Sequence, residues 1–481
     1  MAQLHDLTAL AQADLIHRGE LSSAELVEHY LARVAAHSDT VGAFVTVTAE
    51  QARARAKAAD AVPSDQRGPL HGVPTAIKDL TVTAGVRTTF GSAAFADYVP
   101  PVDADVVALL RAAGTVSLGK TTASELGISL YSEGRVAPPA RNPWRLAYTA
   151  GGSSGGAAAA VAAGLVPFAQ GSDGGGSVRI PSAICGLVGY KPSRGVVSGG
   201  PLGFGAFGLT THGPIARTVA DAAAMLDAIA VPMPGEPYPS PPAPDGGYLA
   251  VARRAEPGTL RVGRFLSPVL AGDQPVDPAC AAAVDAAADA LVRAGHEVVE
   301  VAPPLGPEVW PLFETIWYAL ALTPVPPERE AELLPLTRLM RQRGARIGAG
   351  ALMATLAEVQ LQVRRGMAAI AGYDLLLCPT LATPQARVGW FADTDDPAED
   401  FDRQRRFSPY CAVFNVTGQP SVTLPVATTA DGMPVGALLS GRYGADARLL
   451  AAAAQVEAAI GWGDRHPEIW RAAPSATVNH V

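Results

Sequence analysis

Cysteine is scarce in this 481-residue chain. Cys185, Cys280, Cys378 and Cys411 lie far apart and form no CxxC pair. That spacing argues against a metal site or a disulfide framework and points to a reduced, cytoplasmic protein. Charge is scarce as well. Asp, Glu, Lys and Arg make up 17% of the residues, against the roughly 25% of an ordinary soluble domain. With 48% hydrophobic residues, a large buried core is expected. A net charge of −8 disfavours a nucleic-acid surface. No uncharged apolar run is long enough to span a bilayer, since the stretch 155–169 is short and mostly Ala and Gly. The start, MAQLHDLTALAQADLIHRGE, has no basic segment followed by an apolar one, so no secretory signal is expected. The nine histidines are scattered, none in a catalytic motif, and His71 and His212 read as structural.

What is present is concentrated in Ala150–Pro181, AGGSSGGAAAAVAAGLVPFAQGSDGGGSVRIP. It holds two glycine-packed turns, each with a serine, joined by an alanine-rich helix. Ser153 sits in Gly151-Gly152-Ser153-Ser154-Gly155-Gly156, and Ser177 closes Asp173-Gly174-Gly175-Gly176-Ser177. Three glycines before a serine leave the N–H groups of residues 174 to 177 bare and able to converge on an anion, as in an oxyanion hole. Ser177 is therefore a nucleophile candidate. A serine nucleophile needs a base, and Lys78 interrupts the apolar run Gly72–Leu80. Burial there would disfavour its charged form and lower its pKa. Ser153 supplies a hydroxyl through which the lysine can reach Ser177. Taken singly, Ser153 reads as a helix N-cap, a role Ser154 shares. Asp173 and Arg179 flank the nucleophile and read as an ion pair that orders the loop. Cys185 reads as buried packing.

Along the chain, residues 6–62 have helical spacing, with Ser22 or Ser23 as a cap followed by Glu25. Residues 72–80 read as a buried strand, 105–113 as a helix, 115–118 as a strand and 153–164 as a helix. Residues 231–258 are rich in Pro and Gly and read as a surface loop, after which α/β patterning resumes at 260–265. Helices follow at 278–294 and 310–371, and strands at 375–378 and 422–424. Alternating strands and helices imply an α/β fold, a central mixed sheet covered by helices on both faces. Two motifs point elsewhere but lack their context. Gly114–Thr121 matches GxxxxGK[ST], yet a helix precedes Gly114 and the middle reads as a strand, so nucleotide binding is not expected. Gly151–Gly156 fails as a dinucleotide loop because Asp173 lies within another glycine turn.

These residues resemble the amidase signature family. The resemblance runs through Gly72–Asp79, Leu118–Thr121, Asn142-Pro143-Trp144, the whole 151–192 block, Cys378-Pro379-Thr380, Asn415–Pro420 and Pro434-Val435-Gly436. It implies one large α/β domain over 66–481, with residues 1–65 a helical segment packed on it. It implies Ser177 as acyl-enzyme nucleophile, Ser153 as bridging serine after a cis peptide, and Lys78 as final proton acceptor. The N–H groups of Gly174, Gly175, Gly176 and Ser177 would form the oxyanion hole, and Gly127 and Ser129 match positions that line the acyl pocket. The implied reaction is hydrolysis of a small or linear amide or lactam, with no metal or cofactor and no nucleic-acid or membrane partner; a homodimer stays open. Asp-Gly-Gly-Gly-Ser together with Tyr190–Gly195 resembles the 6-aminohexanoate cyclic-dimer hydrolase branch. Two alternatives share the family fold: the glutamine-hydrolysing A subunit of an aminoacyl-tRNA amidotransferase, and a non-catalytic binding protein. In the first, a polar residue usually stands where this chain has Ile180, and Thr is common where it has Gly174.

The substrate pocket is expected from residues 127–133, 199–209 and 310–345. Within the last, Trp310, Leu312, Phe313, Ile316, Trp317 and Tyr318 form an aromatic cluster. Phe313, Ile316 and Trp317 share one helical face, which either packs on the sheet or walls the pocket.

Overall fold

The alternation of short apolar runs and helical segments closes into one mixed sheet. A computed structural model describes residues 3–203 and 205–472. Among these residues, eleven strands run in chain order: β1 Phe44–Val47, β2 Pro74–Lys78, β3 Val116–Thr121, β4 Phe168–Asp173, β5 Val188–Lys191, β6 Thr211–Ala216, β7 Arg261–Arg264, β8 Glu297–Glu300, β9 Leu375–Pro379, β10 Ser421–Thr428 and β11 Pro434–Gly441. Their spatial order is β1-β3-β2-β4-β6-β5-β10-β11-β9-β7-β8. Strands β3, β2 and β4 are parallel, as are β9, β7 and β8. The strands between pair antiparallel. Every residue of β2, β4, β5, β9 and β11 is buried, which is why they read as continuous runs and not as alternating ones.

The helix Gly155–Ala162 is wholly buried. A Cβ on Gly156 would stand 2.4 Å from the Thr122 nitrogen and 2.5 Å from the Ala43 carbonyl oxygen. Only glycine lets this helix press onto the backbone after β3, and that contact fixes the Ser153 turn above β2 and β4. Ser154 is the N-cap residue, but its side chain makes no capping bond and instead donates to the Ser172 carbonyl at 3.3 Å.

Three expectations need correction. The stretch 6–62 is not wholly helical: helices Ala9–Arg18, Ser23–Val41 and Ala49–Asp60 are interrupted by β1, which pairs antiparallel with β3. Only that edge pairing makes four residues a strand. The loop 231–258 contains the helix Gly247–Arg254, because the Asp227 carboxylate accepts the N–H groups of Tyr248 and Leu249 at 2.6 and 2.9 Å from far back in the chain. The region 310–371 divides into helices Val309–Leu320, Pro335–Gly344 and Ala349–Ala369, since Pro326, Pro327 and Pro335 cannot continue a helix. Ser22 is the cap of the second helix and forms a capping box with Glu25.

Candidate active site

Strands β2 and β4 lie side by side, and this brings Lys78, the last residue of β2, against Ser172 near the end of β4. The Lys78 side chain is fully buried. Its Nζ lies 2.7 Å from Ser153 Oγ, 3.0 Å from the Ser172 carbonyl oxygen and 3.1 Å from Ser172 Oγ. Three acceptors match the three protons of an ammonium. Burial nevertheless lowers the Lys78 pKa to about 7, against the opposing pull of Asp173. As a neutral amine, Nζ has a lone pair to take a proton from Ser153. The Gly152–Ser153 peptide is cis.

Ser177 follows β4 after the glycine turn. Its backbone carbonyl accepts the Ser154 N–H at 3.2 Å, which ties the two serine turns together. No direct hydrogen bond between Ser177 Oγ and Ser153 Oγ is formed in this state. The Asp173 carboxylate shapes the turn. It accepts from Gly176 N at 2.7 Å and Val178 N at 3.0 Å, and pairs with Arg179 through Nε at 2.9 Å and Nη2 at 2.8 Å. Asn415 Nδ2 donates to the same carboxylate at 2.9 Å. Both members of the ion pair are fully buried. Burial works to raise the Asp173 pKa, but Arg179 outweighs it and holds the carboxyl well below the usual range. One expectation changes here. The Gly176 N–H is taken by Asp173, so of the four turn N–H groups those of Gly174, Gly175 and Ser177 have no acceptor among the described residues.

Ser177 opens onto a cleft of about 60 Å³. Ile128, Ser129, Leu130 and Ile180 line one side, and Trp310, Phe313, Trp317 and Phe401 another. The aromatic face thus has two jobs. Ile316 is buried in the core, whereas the Phe313 and Trp317 rings, stacked at 5.2 Å, reach the glycine turn before Ser177. A Cβ on Gly174 would meet Trp317 at 3.4 Å, and one on Gly175 would meet Phe313 at 3.3 Å. Trp317 Nε1 donates to the Ile128 carbonyl at 3.2 Å. Ser129 lines the cleft; Gly127 sits behind it, where a Cβ would lie 3.8 Å from Ser153 Oγ.

Among the described residues, 199–203 and 207–209 do not line this cleft; the part of the expectation that falls on Phe204 and on the side chains of 205 and 206 lies outside the described residues. Ser198 Oγ donates to Asp105 at 2.5 Å and the Asp105 N–H donates to the Gly200 carbonyl at 3.0 Å, so the start of that stretch packs on the helix Asp105–Ala112. Residues 401–412 also supply wall, from Phe401 to Ala412, a contribution with no motif to mark it. Ser172 and Asn415 also went unassigned in the sequence, since a serine in a strand and an asparagine in a loop have no distinguishing spacing. His71 Nε2 donates to the Ala59 carbonyl at 2.9 Å, and His212 pairs with Gln170 at 2.9 Å; burial and then Lys78 lower the His212 pKa to about 4. Neither makes a hydrogen bond to Ser177. Lys120 Nζ is bound to the Thr81 carbonyl and Thr88 Oγ1 at 2.7 and 2.8 Å, which removes it from any phosphate-loop role.

The Amidase family model matches residues 25–450. The chain belongs to the amidase signature family. This amidase is 36% identical over 493 residues to the 6-aminohexanoate-cyclic-dimer hydrolase of Paenarthrobacter ureafaciens, an alignment covering 96% of each chain. A solved structure of a 6-aminohexanoate cyclic dimer hydrolase complexed with substrate superposes with a TM-score of 0.89 at 32% identity, covering 98% of this amidase and 100% of that chain. A bacterial aryl acylamidase of the amidase signature enzymes superposes with a TM-score of 0.83 at 26% identity, covering 96% and 98%. The amidase is a single α/β domain, and its reaction is hydrolysis of an amide C–N bond. Among the described residues no helix is long and apolar enough to cross a membrane.

Proposed function

We propose that this amidase cleaves a small, linear or cyclic carboxamide through an acyl-enzyme on Ser177. The observation that carries the reading is the 2.7 Å contact between Lys78 Nζ and Ser153 Oγ beneath a cleft that Ser177 lines. Neutral Lys78 takes the Ser153 proton while Ser153 takes that of Ser177, whose Oγ bonds to the carbonyl carbon. The oxyanion is held by the N–H groups of Gly174, Gly175 and Ser177. The proton then returns by the same route to the departing nitrogen. The C–N bond breaks, the amine leaves and an ester remains on Ser177. Water, deprotonated through the same relay, hydrolyses that ester to the acid.

An apolar wall with Ile180 in it favours an amide without a charged α-carbon. The one cation in the lining, Arg405, is held by Asp402 and the Leu270 carbonyl, so a glutamine α-carboxylate would have to compete for it; this argues against the amidotransferase reading. The intact lysine and two serines argue against a non-catalytic binding protein. The four unpaired, buried cysteines support a cytoplasmic location. Intact-mass spectrometry after brief exposure to a panel of neutral aryl and alkyl amides and lactams tests the proposal. The expected result is an acyl adduct mapped to Ser177 and absent in Ser177→Ala; turnover of those amides by Ser177→Ala at more than about a hundredth of the parent rate would overturn it.

A further inference from the structure

The Ser153 turn rests on a stretch of backbone that takes no part in the proton relay. A Cβ on Gly152 would stand 2.7 Å from Tyr131 N and 2.8 Å from the Leu130 carbonyl carbon, so only glycine lets the turn settle there. The Ser153 carbonyl accepts the Ser124 N–H at 3.3 Å and the Ser132 hydroxyl at 3.3 Å. Ser132 Oγ in turn accepts the Gly155 N–H at 3.1 Å. Residues 130–132 are therefore the seat of Ser153. A shift of that seat moves Ser153 Oγ against Lys78 Nζ, 2.7 Å away. A misplacement of about 1 Å in a reacting array can cost about 10²-fold in rate.

The seat is held from the helix Pro397–Phe407. Gln404 Oε1 accepts the Leu130 N–H at 3.0 Å, and Gln404 Nε2 donates to Asp400 Oδ1 at 2.6 Å. Tyr131 Oη donates to Asp400 Oδ2 at 2.6 Å. Asp400 and Gln404 are one helical turn apart, so a single face of the helix carries both. Tyr131, Asp400 and Gln404 are 5, 4 and 4% exposed, which leaves water little part in the network. The Tyr131 ring is also stacked on Phe391, with centroids 5.4 Å apart. Donors and acceptors fix the arrangement. A backbone N–H can only donate, so Gln404 must turn its oxygen to Leu130 and its amide N–H groups to Asp400. The Asp400 carboxylate then accepts from Gln404 and Tyr131 together. Buried groups of this kind are costly to leave unpaired, which makes the grip rigid.

We propose that Asp400, Gln404 and Tyr131 are positioning residues for amide cleavage: they hold the backbone of residues 130–132, and through it keep Ser153 Oγ on Lys78 Nζ. Their side chains bond to Leu130 and to one another, not to Lys78, Ser153 or Ser177. Gln404 lines the cleft as well, whereas Tyr131 does not. Tyr131→Phe removes the hydroxyl and leaves the ring on Phe391, so it separates positioning from substrate contact. The inference rests on the Ser153 relay of the proposed function.

Steady-state kinetics on the aryl amide turned over fastest, and on the aryl ester of the same acid, test the unit. An amine leaves only with a proton returned along the relay. An aryloxide needs none, so ester cleavage depends on Ser153 in one step fewer. Tyr131→Phe should melt cooperatively, lower kcat for the amide by about tenfold or more, leave KM within about twofold, and lower kcat for the ester much less. Gln404→Met, which strips the Leu130 N–H of its acceptor, should show the same selective loss, with KM raised as well. Asp400→Asn should lose less than Tyr131→Phe, because its oxygen still accepts from Gln404 and its amide can donate to Tyr131 Oη. Parent-like amide turnover in Tyr131→Phe, equal losses on amide and ester, or Asp400→Asn as impaired as Tyr131→Phe would each overturn the unit. Ser153→Ala, measured alongside, separates this inference from the reading beneath it. If Ser153→Ala spares amide turnover, the relay falls and the positioning with it. If Ser153→Ala loses turnover and Tyr131→Phe does not, only the positioning falls.

Discussion

Lys78 sets the pH dependence of the proposed reaction. Burial brings its pKa from 10.5 down to about 7, so the fraction of neutral amine rises through neutrality. The value of kcat/KM should rise with pH about a midpoint near 7 and level off in alkali. A profile that falls steadily above neutrality, with the protein still folded, would count against a lysine base. Lys78→Ala should lower kcat by roughly 10²–10⁴-fold, the usual range for loss of a general base. The same shift bears on stability. The folded chain releases the Lys78 proton at lower pH than the unfolded one, so this residue contributes a rise in stability between about 7 and 10.5. Lys78→Met should therefore raise Tm more at pH 6 than at pH 10, read by calorimetry. Asp173 has the opposite character. Asp173→Asn would leave Arg179 charged in a fully buried site, costing about 3–5 kcal/mol in denaturant unfolding; a change below about 1 kcal/mol would show that the pair does not organise the turn. Both residues were readable from their neighbours in the chain. Ser172 was not, because its role depends on β2 lying beside β4.

Among the elements, the helix Val309–Leu320 separates packing from recognition along one face. Ile316 is 2% exposed, while Phe313 and Trp317 line the cleft and touch the nucleophile turn. Ile316→Ala should cost about 2–5 kcal/mol of stability and leave the ratio of kcat/KM between aryl and alkyl amides unchanged. Trp317→Ala and Phe313→Ala should shift that ratio, with Trp317, the more exposed of the two, losing less stability. If instead both aromatic variants unfold readily and the ratio stays put, the face is packing alone and the specificity lies in residues 401–412. The periodicity of residues 310–318 predicts the shared face. It does not say which part of that face meets the sheet, since that depends on how far along the sheet the helix lies. The helix Gly247–Arg254 shows the same limit, because its capping carboxylate comes from Asp227.

Across the whole molecule, residues 1–65 are part of the domain's packing as much as they are a segment of it. Strand β1 pairs with β3. The Arg33 Nε donates to the Gly164 carbonyl at 2.8 Å, and Asp221 accepts the N–H groups of Ala9 and Leu10 at 3.0 and 3.1 Å. Deletion of residues 1–65 should expose the edge of β3 and strip the buried face of the Gly155–Ala162 helix. The truncated chain is expected to aggregate without a cooperative unfolding transition, checked by light scattering and thermal melts. A soluble, cooperatively melting truncate would mean that 66–481 folds alone.

Local chemistry determined much of this protein before any folding was considered. Glycines before Ser177, a lysine within an apolar run and an acid–base pair around the turn are properties of neighbouring residues, and their reactivity is legible from residue type and spacing. The α/β class followed from periodicity for the same reason. Only the tertiary structure decided what stands opposite what. It set the strand order that brings Ser172 to Lys78 and the entry of residues 401–412 into the cleft wall. These depend on segments far apart in the chain, whose meeting is governed by packing of the whole core and leaves no periodic mark on the chain.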